Sequence, residues 1–332
     1  MNLLEVAYKY SGGKFDLQMT IAKEILHYDI LSILYSSPVS RILVFQGGTA
    51  LRLCYQNNRY SEDLDFTLVN GTKFELNDMS FFKKSFEKKI QNKYGLDIEF
   101  IEPKDNENRV KKYTAKVLLP LTKNQKAKIN IEIAQIPSYD NSLRGIINNY
   151  PNEFGVNTFV RVESKEEILA DKIIALGTRE YLKYRDFWDI KFLQDIHIKL
   201  NYDFVSQKIK DYEIENFYEK FAQKILFIEQ NDLRADFEYE MSRFLTQQLF
   251  EFVRDNVFYN EVKRSVLEVG KEFLENVQQQ SKTPFSDKLK AMPKPSAEVE
   301  AKGKEFLNEL RQARSDEAQS QTTPKTIRKK KQ

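Results

Sequence analysis

Asp63 and Asp65 stand two apart in the run Ser61-Glu62-Asp63-Leu64-Asp65-Phe66, and on an extended chain that spacing turns both carboxylates to one side. Like charges held so close repel unless something cationic lies between them, and oxygen donors of this kind suit magnesium. A solvent-facing strand with polar alternation accounts for the same pair without a metal. Just upstream, Gly47 and Gly48 are adjacent in a chain that has only 11 glycines in 332 residues. Glycines that open a helix bring backbone amides up to a phosphate, and a tight strand-to-helix turn requires the same residues. The pair has neither P-loop nor dinucleotide-fingerprint spacing, so neither chemistry is indicated. Glu132, between Ile131 and Ile133, adds a third carboxylate on a polar strand face.

Two cations complete the set. Ser164 with Glu167 forms a capping box that starts a helix running from Lys165 to about Thr178. With Ile168 as origin, Leu176 falls at about 80°, Lys172 at about 40° and Arg179 at about 20°, so both cations lie in the arc that should bury. Either their long stems snorkel to water, or this face borders a cleft that holds phosphate. Asp186, in Arg185-Asp186-Phe187-Trp188-Asp189, opens the next helix, where an acid caps or complements the helix dipole.

The elements that would position these groups follow from periodicity. A leading helix spans Leu17 to Leu34. Ile42 to Phe45 form a buried strand that ends at the glycine pair, and Thr49 to Tyr55 are helical. Leu64, Phe66 and Leu68 alternate with Asp63, Asp65 and Thr67 as a strand with one apolar and one acidic face. A helix over Phe81 to Lys93 precedes strands at Leu96 to Ile101, Tyr113 to Leu119 and Lys128 to Ala134. The stretch from Pro137 to Pro151 reads as a linker. Beyond it helical signals run to about residue 279, including Asp186 to His197 and Phe204 to Asn276. The fold class is α/β (α+β): a mixed sheet with flanking helices, then a helical domain. The boundaries fall at 1–145, 146–280 and 281–332.

Composition bounds the rest. With 41% hydrophobic residues, 24 Phe and 17 Tyr, the chain is neither fibrous nor wholly disordered. One cysteine and two histidines exclude a disulfide framework and a cysteine- or histidine-built zinc site. There is no apolar run of membrane-spanning length and no signal-peptide pattern, so a soluble, cytoplasmic protein with no membrane partner is expected. Residues 281–332 carry 13 Lys/Arg against 7 Asp/Glu inside a whole-chain charge of +3. That tail is read as a disordered basic arm with a short helix near 297–314, able to touch nucleic acid by neutralising phosphates.

Four segments in order resemble the AbiEii/AbiGii toxin family of bacterial nucleotidyltransferases: Phe45-Gln-Gly-Gly-Thr-Ala-Leu-Arg-Leu53, Arg59-Tyr-Ser-Glu-Asp-Leu-Asp-Phe66, Ala170-Asp-Lys-Ile-Ile-Ala-Leu176 and Arg185-Asp-Phe-Trp-Asp189. The resemblance implies a polymerase-β-like nucleotidyltransferase fold and a toxin role in toxin–antitoxin or phage-defence systems. By position, Gly47, Gly48 and Thr49 would hold nucleotide phosphates, Asp63 and Asp65 the metal, Lys172 the triphosphate, and Asp186 would be the later essential acid. Glu132 is assigned as third metal carboxylate by fold logic. The family often has serine or glycine at the second turn position, so Gly48 lacks a hydroxyl that Thr49 or Ser61 would replace here. The implied reaction uses two magnesium ions and an NTP, moves an NMP to an acceptor hydroxyl and releases pyrophosphate. RNA, specifically tRNA, is the expected acceptor, and a cognate antitoxin the expected partner. Two alternatives stay open: transfer of the nucleotide to protein hydroxyls, and a non-catalytic nucleic-acid- or partner-binding member.

Overall fold

The computed structural model describes residues 2–103, 109–119 and 126–280. In chain order its elements are α1 (Leu3–Ser11), α2 (Phe15–Tyr35), β1 (Leu43–Gln46), α3 (Gly47–Tyr55), β2 (Leu64–Val69), α4 (Ser80–Tyr94), β3 (Ile98–Ile101), β4 (Val110–Leu118) and β5 (Lys126–Ser138). There follow β6 (Asn141–Gly145), β7 (Phe159–Glu163), α5 (Lys165–Thr178), α6 (Tyr184–Asp195), α7 (Tyr202–Asp211), α8 (Phe217–Gln230), α9 (Arg234–Met241), α10 (Gln247–Val253) and α11 (Asn256–Gln280). The basic tail expected over 281–332 lies outside the described residues.

The seven strands form one mixed sheet in the order β3-β4-β5-β2-β1-β7-β6. β2 lies between β1, to which it is antiparallel, and β5, to which it is parallel. Period-two alternation fixes its register, because a slip of one residue would send Leu64, Phe66 and Leu68 to the polar side. Those three are buried, and Phe66 packs on Phe45 with ring centroids 5.3 Å apart. The register sets Asp65 opposite Gln46 on one side and Glu132 on the other, so the acidic pair meets both the glycine turn and the third carboxylate.

Three expectations are corrected here. The segment read as a linker carries the end of β5 and all of β6, and β7 follows where only helix was expected. β6 is an edge strand whose residues are mostly exposed, so it has no apolar alternation to betray it. The long helical span after Phe204 is broken into α7 to α11, with Asn201 and Thr246 capping two of the new starts. The capping box at Ser164 is only half made. Ser164 accepts from the Glu167 amide at 3.1 Å, but the Glu167 carboxylate accepts instead from Ser138 Oγ and the amides of Tyr139 and Asp140 at 2.7 to 3.0 Å.

That diversion belongs to a buried ion cluster behind the sheet's polar face. Lys208 on α7 is wholly buried, with its Nζ 2.9 Å from Glu167, 2.8 Å from Asp171 and 3.4 Å from Glu163. Glu163 also accepts from Thr67 of β2 at 2.6 Å. Burial and the neighbouring Asp171 carboxylate push the Glu163 carboxyl well above its usual range, so the trio is not fully ionised. The cluster ties α5 and α7 to β2 and β7. Lys208→Met should cost about 3–5 kcal/mol in urea unfolding at neutral pH, because three buried acids lose their ammonium. The loss should shrink as pH falls and the acids protonate. A cost below about 1 kcal/mol, flat with pH, would deny the cluster this role.

Candidate active site

Asp65 is the second residue of β2, whereas Asp63 precedes the strand and is held by tertiary contacts instead of by pleat. The Asp63 carbonyl accepts a hydrogen bond from the Thr49 hydroxyl, and its Oδ1 accepts from Asn130 Nδ2 at 2.9 Å. The preceding segment is pinned at several points. Glu62 pairs with Lys23 at 2.6 Å, its carbonyl accepts from His27 Nε2 at 3.0 Å, and Tyr60 N donates to the Phe244 carbonyl at 2.8 Å. Burial lowers His27 to about 4, so the imidazole is neutral and its Nε2 carries the proton. Thr49, expected to touch phosphate, is therefore engaged in placing Asp63. Ser61 is buried in the same pinned segment.

The glycine pair has a steric cause at each position. Gly47 has φ of +78°, and a Cβ there would lie 2.7 Å from Asp65 Oδ2. A Cβ on Gly48 would stand inside the contact surface of Arg59 Nη2. The backbone of the turn is thus pressed between a carboxylate and a guanidinium, at the start of α3 where free amides favour an anion.

Arg59, which sequence reading left out of the site, is buried and bound to Asp189 through both Nε (2.7 Å) and Nη2 (2.6 Å). Asp189 Oδ1 also accepts from Asn57 Nδ2 at 2.8 Å, and Lys172 Nζ lies 2.7 Å from Oδ2. Burial works to raise the Asp189 carboxyl, but Arg59 and Lys172 outweigh it and hold it at about 2. Lys172 reaches Asp186 as well, at 3.0 Å, and Arg179 closes on the other oxygen of Asp186. Lys172 is buried and does not snorkel to water, Arg179 is partly exposed, and both pair with acids of α6. Asp186 is not a cap either, since the first amides of α6 donate to Glu240. Burial raises the Asp186 carboxyl less than Lys172 and Arg179 lower it, so it stays ionised.

The carboxylates beside the glycine turn are the reverse case. Burial, then Glu132 and then Asp63, push the Asp65 carboxyl up to about 7. Its side chain makes no hydrogen bond among the described residues, while Glu132 is drawn to Lys112 at 2.6 Å. Among the described residues no three His, Cys, Asp or Glu side chains converge as a ready metal centre. Magnesium needs only one or two protein carboxylates, with water and substrate phosphates completing its shell, and Asp63 with Asp65 meets that requirement.

The family model described as the nucleotidyl transferase AbiEii toxin of a type IV toxin–antitoxin system matches residues 29–265. The chain belongs to this family. As an AbiEii member it is a nucleotidyltransferase of the toxin class. Among solved structures it is similar to MenT4, a nucleotidyltransferase toxin from Mycobacterium tuberculosis H37Rv, with TM-score 0.51 and 16% identity, covering 82% of this chain and 97% of that one. It is also similar to JHP933 from Helicobacter pylori, with TM-score 0.44 and 19% identity, covering 82% and 97%. The first likeness supports the fold. No curated protein matches the chain in sequence. No helix among the described residues is long and apolar enough to cross a membrane.

Two outcomes follow from the geometry of this AbiEii member. In EDTA, Asp65 carries a folded pKa above its unfolded one, so it supports stability at acid pH and that support is lost as pH rises through about 7. Asp65→Asn should remove this dependence and stabilise the metal-free protein at pH 8 by on the order of 1 kcal/mol, read from melting curves across pH. Parallel curves for variant and parent would contradict it. Gly48→Ala should cost roughly 1–3 kcal/mol by displacing Arg59. Combined with Arg59→Ala, the two costs should fail to add by more than about 0.5 kcal/mol, and simple additivity would show that the contact is relaxed without strain.

Proposed function

We propose that the protein transfers an NMP from an NTP to an acceptor hydroxyl in a magnesium-dependent reaction, with RNA, tRNA first among candidates, as acceptor. The observation that carries this reading is a carboxyl left without a hydrogen-bonding partner among the described residues, beside a glycine turn: Asp65 is unbonded, raised to about 7, and packed against Gly47 at the opening of α3. Charge left unresolved next to an anion-favouring helix start suits a cation carrying phosphates.

In this reading Asp63 and Asp65 hold the metal, and Glu132, released from Lys112, joins them for a second ion or takes the proton of the acceptor hydroxyl. When bound, magnesium neutralises the triphosphate and orients it for in-line attack. The amides of Gly47 and Gly48 receive phosphate oxygens. Lys172 brings positive charge from α5, its ammonium held by Asp186 and Asp189. The acceptor oxygen bonds the α-phosphorus as the bond to pyrophosphate breaks, and pyrophosphate leaves. The part up to residue 145 supplies the carboxylates and the turn, and the part to 280 supplies Lys172. Action in the cytoplasm, neutralised by a cognate antitoxin, accords with the type IV class.

The test is transfer of label from each NTP, in turn, to total RNA or to protein in a lysate. Asp63→Asn and Asp65→Asn should each lower magnesium-dependent labelling of RNA at least about a hundred-fold in protein that stays folded. Full activity in either variant would refute the metal assignment, and label found on protein alone would refute the acceptor. Lys172→Ala is expected to lose activity and also to melt earlier, since it strands Asp186 and Asp189, so it is the less diagnostic change.

A further inference from the structure

The polar side of the sheet continues past Glu132 onto β4 and β5, and its charge changes sign there. Cross-strand registers place Lys112 opposite Glu132, Thr114 opposite Asn130, Lys116 opposite Lys128 and Leu118 opposite Lys126. Residues directly opposite share a face, so four lysines line one side of these two strands, starting at the catalytic carboxylates. Their neighbour β3 contributes Glu99, opposite Lys116, and Ile101, opposite Thr114. This side is open to water: the side chains of Lys112, Lys126 and Glu99 are 51%, 45% and 48% exposed, Lys128 is exposed, and Ile101 and Leu118 are uncovered apolar groups.

Among the described residues the fold matches this charge only in part. Lys116 and Lys128 are like charges directly opposite one another, an arrangement that destabilises a sheet. Among the described residues relief comes from Glu99, which serves both Lys116 at 3.0 Å and Lys126 at 2.8 Å, two ammoniums on one carboxylate. Lysines do guard exposed sheet edges, but β4 and β5 are interior strands, so edge protection does not account for them. At roughly 6.6 Å for every two residues, the stations at Lys112, at Lys116 with Lys128, and at Lys126 extend about 20 Å from the site. That is a stepped row of positive charge with apolar side chains between, directed at the carboxylates beside the glycine turn.

We propose that this lysine row is the track along which the acceptor RNA strand reaches the carboxylates, its phosphates on Lys116, Lys126 and Lys128 and its bases free to lie on Ile101 and Leu118. The assignment rests on the reading of RNA as acceptor, and deepens it by naming the surface. The backbone's negative charge is complementary to the row, and contacts of this kind are independent of sequence and sensitive to salt.

The test uses the full-length chain with Lys116→Gln, Lys126→Gln and Lys128→Gln combined, leaving Lys112 and the site untouched. Stability should stay within about 0.5 kcal/mol of the parent, and NTP affinity should not change. RNA binding should weaken at low salt and converge with the parent at high salt, the log–log salt slope falling by about 2, since each single-strand phosphate contact contributes about 0.7. In transfer assays KM for RNA should rise while kcat at saturating RNA holds. If the parent binds and labels RNA and the variant shows the same affinity and slope, the row is not the track and the acceptor reading survives. Weakening by the same factor at every salt also overturns the row. A parent that labels only protein, or no RNA, overturns both.

Discussion

One buried carboxylate, Asp189, fixes the relation between the parts of this site. A charge taken out of water must be met by partners, and here they come from separate elements: Asn57 and Arg59 from the segment after α3, Lys172 from α5. Ion pairs of this kind add little net stability over apolar packing, because desolvation offsets the attraction, yet they tolerate few alternative arrangements. The helix bearing the lysine therefore cannot slide relative to the glycine turn without stranding a charge. Asp186, met by Lys172 and Arg179, repeats the constraint one turn earlier on α6.

The sheet shows the opposite treatment of charge. Where Asp189, Asp186 and the Lys208 cluster are matched by cations, Asp65 and its acidic neighbours are left in mutual repulsion. The chain thus pairs the acids of α6 with cations while leaving Asp65, beside the glycine turn, without an ion pair among the described residues.

Much of this was legible locally. The alternation around Leu64, Phe66 and Leu68, the apolar run before Gly47, and the start of α5 at Ser164 each depend on neighbours in sequence, and each element stands where periodicity places it. What escaped depends on distant partners. Arg59 and Asp189 are 130 residues apart and neither has a local signature, so the wheel exposed Lys172 and Arg179 as cations in an apolar arc without disclosing the acids they meet. Glu167 obeyed the same limit: its spacing fits a reciprocal cap, and a stronger set of donors from the end of β5 takes its carboxylate. β6 was hidden because an exposed edge strand needs no apolar code.

The tight seating of Arg59 over Gly48 bears on how sequences of this class should be aligned and weighed. A missing side chain at the second turn position is explained by the guanidinium above it, with no reference to nucleotide, so a chain that had lost its chemistry would keep that glycine for as long as it kept the arginine. Where a relative has serine there, the arginine must lie elsewhere or be replaced. The two positions carry joint information about packing, and the glycine by itself does not report on chemistry.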